Sequence, residues 1–254
     1  REVALVEARY PAAGASGRNA GMVLVGLRDS YSEAVERFGR NTAREIWTLT
    51  KENVRFMGKI ADSFAIEHEK TGASYIARDP VFATKLRHSA DMLNQDGFDA
   101  EYVEGDPTKR GFHATLLQPG DFATQPASLS LALTAVSGAT LYENDEVFDI
   151  RSEGSGLLVR TRRHLIYCEK AVLAVNGYAP LMHSFFRRLV EPARGQIVVT
   201  EPIPRIIDTL GLVDQRCYFR QMSDGRLLVG GGRFQYPDEE RSYSDETTSN
   251  VQGI

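Results

Sequence analysis

Two uninterrupted apolar runs constrain this fold most: Val3-Ala4-Leu5-Val6, closed by Glu7, and Ala171-Val172-Leu173-Ala174-Val175, closed by Asn176-Gly177. Strands buried on both faces read as short continuous apolar runs of this kind, because helices cover both sides of the sheet. Between the two runs the pattern changes. Residues 146–151, 156–161 and 164–168 predict an antiparallel meander, with Glu153-Gly154-Ser155-Gly156 supplying turn residues.

Helical spacing fills other stretches. Over residues 30–64 the apolar positions Val35, Phe38, Ile46, Leu49, Val54, Phe56, Met57 and Ile60 recur at roughly helical intervals, with a break expected near Gly39-Arg40-Asn41. Asp79-Pro80 opens a helix expected to reach Gln95, where Asp96-Gly97 stops it. Pro126 opens another through Val136, closed by Ser137-Gly138. Further strands are expected at 74–77, 111–118, 139–142, 196–200 and 226–230, with Asp224-Gly225 as a hairpin turn. The order is a strand, then helices, then a meander flanked by strand–helix pieces. It predicts a mixed α/β (α+β) chain whose two domains interleave.

Composition removes several classes of function. A net charge of −4 argues against a nucleic-acid partner, which needs a basic surface. No run of about 18 apolar residues is present to span a membrane, and no signal-peptide pattern opens the chain. Cys168 and Cys217 stand far apart, which argues against a disulfide framework and for a cytoplasmic location. His68, His88, His113, His164 and His183 show no metal-ligand spacing, so no metal is expected. No GxSxG elbow and no GxxxxGK[ST] loop appears.

Glu7 and the turn GASGRNAG, residues 14–21, carry the first chemical hint. In a dinucleotide-binding unit the second strand ends in an acid that hydrogen-bonds the ribose, about 20 residues after a G-x-G-x-x-G turn. Glu7 stands where that acid belongs, but Gly14-Ala15-Ser16-Gly17 follows it and cannot serve as that turn. Taken alone, these residues read more simply as a solvated strand end and an ordinary tight loop.

The series VALVEA, GASGRNAGMV, the helix led by Gln125-Pro126, the meander with Val147, KAVLAVNGYAP, EPARGQIVVTEP and CYFRQMSDGRLLVGGGR resembles the FAD-dependent amine and amino-acid oxidase family. That family includes D-amino-acid oxidase, glycine oxidase and sarcosine oxidase, and GASGRNAG is most similar to the γ-glutamylputrescine oxidase branch. The resemblance implies an incomplete Rossmann-type FAD-binding domain over residues 1–70 and 112–190. A substrate domain with an antiparallel sheet would take residues 71–111 and 191–254. It implies that Glu7 binds the adenosine ribose and that Ser16, Arg18, Asn19, Ala20, Gly21 and Met22 line the pyrophosphate and flavin. Val147 would hold the adenine edge, and Ala174, Asn176 and Gly177 would pack against the cofactor.

Tyr218 resembles a substrate-proximal tyrosine, and Arg220 would meet a substrate carboxylate. The implied reaction is hydride transfer from a small-molecule amine or amino-acid substrate to FAD, with oxygen or another acceptor taking the electrons. No catalytic acid or base is assigned.

Plainer readings stand beside these. Val147 also fits a strand core, Tyr218 and Arg220 an ordinary cross-strand pair, and Gly230-Gly231-Gly232 a strand-end bend. The family pattern further implies a glycine turn before Glu7 and a substrate-binding arginine segment after Ile254, neither of which lies in these 254 residues. For a polypeptide of these residues alone the expectation is weak or no FAD binding, no oxidase activity and an exposed strand edge at residues 3–6. A non-catalytic binding or interaction module is then the alternative. A nicotinamide-dependent dehydrogenase is disfavoured by the meander and by the GASGRNAG turn.

Overall fold

The computed structural model describes residues 2–106, 110–214 and 216–254. They form two compact units, one from residues 1–18, 130–196 and 233–254, the other from 19–129 and 197–232.

In the first unit, Ala4–Val6 pairs in parallel with Thr140–Tyr142, with Leu5 opposite Leu141. Val147–Glu153, Gly156–Thr161 and Leu165–Cys168 form the antiparallel meander in that order. Asp145 ties the two pieces together. Its N–H donates to the Glu7 carbonyl at 3.0 Å. Its buried carboxylate accepts the Arg163 N–H at 2.9 Å and the Thr161 hydroxyl at 2.8 Å, and meets Nδ1 of His164 at 2.6 Å. Burial works against ionisation there, but the hydrogen bonds from His164, Thr161 and Arg163 hold Asp145 below its ordinary value.

The run at residues 171–175 is not a strand. A buried-type strand needs backbone partners along at least one edge. This segment has none among the described pairings, and Val172 is 90% exposed. The chain goes instead into the short turns Asn176–Tyr178 and Ala179–Met182.

The second unit is built on a seven-stranded sheet in the order Ile197–Pro202, Arg226–Gly230, Cys217–Gln221, Leu210–Val213, Ala73–Ala77, Ala114–Gln118, Glu101–Glu104. All its pairings are antiparallel except that of Leu210–Val213 with Ala73–Ala77. The helices Tyr31–Phe38, Arg40–Ser63 and Pro80–Gln95 belong to the same unit. Leu86, Ala90 and Leu93 of the last pack with Ala77, Ala114 and Leu116 of the sheet and with Tyr31 and Trp47. Local chemistry sets these helix ends. Ser30 and Glu33 form a reciprocal capping box. Gly39, at φ +82°, separates the first two helices, and Asp79 caps the third ahead of Pro80.

A small three-stranded sheet completes the unit, with Met22–Val23 and His68–Glu69 on either side of Phe122–Thr124. It carries the end of the GASGRNAG turn.

Candidate functional site

In the first unit Glu7 closes its strand. Its N–H donates to the Tyr142 carbonyl at 2.9 Å, and its Oε1 accepts the Arg9 N–H at 3.0 Å. The chain then turns through residues 10–18. The N–H groups of Gly17 and Arg18 both donate to the Gly14 carbonyl at 3.2 Å. A Cβ on Gly17 would lie 2.1 Å from the Ala12 carbonyl oxygen, so the turn closes only with glycine there. Ser16 is exposed, and Arg18 pairs with Asp245 at 3.0 Å. Val147 begins the meander opposite Thr161, half-buried. Ala174 is exposed, and Asn176 has φ +46° at the start of its turn. Gly177 has room for a Cβ, which would lie 3.7 Å from Cα of Pro192.

In the second unit the turn continues through Asn19, Ala20, Gly21 and Met22. Asn19 Oδ1 accepts the Gly21 N–H at 2.7 Å, and the Gly21 carbonyl accepts the Thr124 N–H at 2.8 Å. Gly21 has φ +69°, and a Cβ on it would lie 2.0 Å from the Thr124 carbonyl oxygen and 3.2 Å from Nη2 of Arg220. The structure therefore brings the end of the glycine turn against Arg220, over a sequence separation of about two hundred residues. Met22 pairs with Ala123 and packs against the cluster of Ala73, Ala123 and Leu210.

Tyr218 and Arg220 lie two apart on Cys217–Gln221 and so share one face. The Tyr218 ring lies over Gly230, whose Cβ would come within 2.3 Å of it. Arg220 is only 7% exposed, and its Nε has no hydrogen-bond partner among the described residues. Burial pulls its guanidinium below the usual range, while Glu69 and Glu67 push the other way. Both acids are engaged elsewhere, Glu69 with Arg205 at 3.4 Å and Glu67 with the Ser223 hydroxyl. An arginine stays protonated even so. Its neighbourhood therefore holds a fixed positive charge with a donor to spare.

One group invisible to sequence reasoning lies in the same unit. Asp121, 1% exposed, accepts the Val25 N–H on Oδ1 at 2.9 Å, while Oδ2 has no partner among the described residues. Burial raises it to about 7, and the Val25 hydrogen bond opposes that only in part. No sequence signal marked it, since an isolated aspartate before a short strand reads as a turn residue.

Within the second unit, the surface side chain of Asn19 and the spare donor of Arg220 beside Gly21 fit in kind the polar and anionic groups of a nucleotide. The closures at Gly17 and Gly21 are filled by the chain's own carbonyl oxygens, of Ala12 and Thr124 respectively. In the first unit Ser16 offers a polar side chain at the surface. Among the described residues no group of three or more metal-ligating side chains comes together.

Residues 1–252 match the family described as FAD dependent oxidoreductase. The chain belongs to that family. As a member of the FAD-dependent oxidoreductases its cofactor is FAD. It is 27% identical to the probable oxidoreductase OrdL of Rhizobium meliloti, over 96% of this chain and 61% of that protein. It is 34% identical to the glycine oxidase of Geobacillus kaustophilus over 118 residues, 44% of this chain and 31% of the relative. The solved glycine oxidase from Bacillus cereus superposes on the whole chain with a TM-score of 0.74 at 21% identity, and this chain covers 69% of it. The chain thus spans about three-fifths of the length of the OrdL relatives it matches.

Proposed function

We propose that this oxidoreductase oxidises the C–N bond of a small amine or amino acid that carries a carboxylate. One observation carries the reading. Arg220 is a buried guanidinium with an unpartnered Nε, set against Gly21 at the end of the glycine turn. A buried guanidinium with an unsatisfied donor is costly, and such a group is a mark of function. An anionic ligand would relieve that cost, and a planar carboxylate matches the guanidinium fork. Relatives named glycine oxidase and gamma-glutamylputrescine oxidoreductase support the same substrate class.

When bound, FAD supplies the acceptor for hydride from the substrate carbon beside nitrogen and passes the electrons to oxygen or another acceptor. This chain's own part is binding and orientation. Arg220 fixes the carboxylate end of the substrate, and Tyr218, held in place over Gly230, lines the same face of the strand. Gly21 keeps the backbone close to Arg220, so the carboxylate and the cofactor turn are held together. Glu7 would receive the ribose hydroxyls, and Val147 and the residues Ala174, Asn176 and Gly177 would complete the nucleotide side. Two free cysteines, Cys168 and Cys217, accord with a reducing cytoplasm.

The test is anaerobic mixing of the flavin-loaded protein with amino acids and with their decarboxylated amines. Flavin absorbance should bleach with an amino acid and much more weakly with its decarboxylated partner. Equal bleaching by both would contradict the role given to Arg220. Silence across the whole panel would contradict the proposed reaction.

A further inference from the structure

In the first unit, Glu7 and Val147 are the two residues proposed above for the adenosine end of FAD. Glu7 closes a parallel strand and Val147 opens the meander, so no single ladder carries both. The meander's own ladder shifts register between Arg160 and Thr161, and beyond that shift Thr161 stands opposite Val147. A shift of this kind lets a strand end bend. Backbone pairing therefore leaves the distance between the two residues to side chains.

Three residues hold the two ends, and His164 touches all three. Tyr142 and Asp145 grip Glu7 from either side. The Tyr142 carbonyl accepts the Glu7 N–H at 2.9 Å, and the Asp145 N–H donates to the Glu7 carbonyl at 3.0 Å. Thr161 holds the other end, opposite Val147. The His164 ring packs edge-on with Tyr142, their centroids 4.9 Å apart. Its Nδ1 lies 2.6 Å from Asp145 Oδ2, and its backbone N–H donates to the Thr161 hydroxyl at 2.7 Å. That hydroxyl donates in turn to the same Asp145 oxygen at 2.8 Å.

Burial makes the bond to His164 matter. Asp145 is buried and ionised, so it can only accept, and Nδ1 carries the proton. A buried carboxylate is costly unless its oxygens are bonded. The His164 side chain is 43% exposed, so it can be changed from the surface while Thr161 and the Arg163 N–H stay on the carboxylate.

We propose that His164 is a positioning residue of the nucleotide site. Through Tyr142 and Asp145 on one side and Thr161 on the other, it fixes the spacing of Glu7 and Val147, and with it the affinity for FAD. The inference rests on the reading that those two residues receive the adenosine.

The experiment is a fluorescence titration of the apoprotein with FAD. It compares the parent, His164→Ala, His164→Asn, Glu7→Gln and the double variant of His164→Ala with Glu7→Gln. Asparagine places an amide N–H where Nδ1 stands and keeps the bond to Asp145. Thermal melting of each apoprotein reports the fold separately. In His164→Ala, FAD should bind about tenfold more weakly, the scale of one hydrogen bond to a charged group. His164→Asn should recover most of that loss. The double variant should lose little more than Glu7→Gln alone, because the spacing that His164 secures no longer presents the acid. Losses that simply add and follow the fall in Tm, with no recovery in His164→Asn, overturn the proposal and leave His164 a structural residue. So does an FAD affinity unchanged in His164→Ala but weakened in Glu7→Gln. An affinity that ignores Glu7→Gln overturns the adenosine reading itself, and the positioning role with it.

Discussion

A Cβ on Gly21 would stand 3.2 Å from Nη2 of Arg220 and 2.0 Å from the Thr124 carbonyl oxygen. The glycine turn and the buried arginine are thus in contact through the one residue that has no side chain. That contact links the turn proposed to face the cofactor to the group proposed to hold substrate.

Gly21→Ala tests the contact. The backbone there is left-handed, and the nearest obstacle is a backbone oxygen that has little room to yield. The substitution should cost at least ~1 kcal/mol of stability from the conformation alone, and more from the clash. Thermal unfolding should show a lower Tm, and flavin retained after purification should fall. An unchanged Tm with full flavin content would mean that the turn tolerates a side chain.

Asp121 gives a pH dependence with a definite sign. Its folded-state value is raised to about 7 from an ordinary 3.8. Between those values the folded chain binds more protons than the unfolded one, so this group's contribution to stability is complete below about pH 4. It is lost as pH rises toward 7. Asp121→Asn keeps an acceptor for the Val25 N–H and removes the charge. It should flatten that part of the stability profile and stabilise the chain at pH 7 by on the order of a few kcal/mol. Denaturant unfolding from pH 4 to 8 measures both. A wild-type profile that rises through this window would contradict the assignment.

Glu240 has the opposite sign. It is 2% exposed and pairs with Arg194 at 3.0 Å, with the Gln196 amide and Thr248 hydroxyl donating to the same oxygen at 2.8 and 3.0 Å. Arg194 holds it below its ordinary value of 4.5 against the effect of burial. Its stabilisation is therefore present above about pH 4.5 and lost as pH falls through the folded-state value. Glu240→Gln leaves Arg194 without its counterion and should cost about 3 kcal/mol at neutral pH. The same denaturant titration checks it, and a loss below ~0.5 kcal/mol would show the pair to be dispensable.

Where local chemistry decides structure, the sequence was legible. The break at Gly39, the helix Pro80–Gln95 between its Asp79 cap and Asp96-Gly97, and the Asp224-Gly225 turn all stand where their residues place them. The meander also follows its alternation. The run at 171–175 fails because an apolar run states only that burial is favourable, not that a partner strand lies alongside. The strands Met22–Val23 and His68–Glu69 are too short to carry any period, and their pairing comes from Phe122–Thr124 far away in sequence. For the same reason Asp121 was invisible. Its burial is a tertiary fact. Residue types at Tyr218 and Arg220 suggested a shared strand face, but the meeting of Arg220 with Gly21 could be seen only in three dimensions.

The central claim is that Arg220 anchors a substrate carboxylate. Steady-state kinetics of the flavin-loaded Arg220→Met and Arg220→Lys proteins test it most directly, with an amino acid and its decarboxylated amine as paired substrates. Removing one partner of a buried charged contact costs about 2–5 kcal/mol, so kcat/KM for the amino acid should fall roughly a hundredfold or more in Arg220→Met. It should recover in part in Arg220→Lys and change little for the amine. In the absence of substrate Arg220→Met should melt no lower than the parent, because a buried guanidinium with an unsatisfied donor has been replaced by apolar volume. Equal losses on both substrates, or none on either, with flavin content and Tm preserved, would contradict the account.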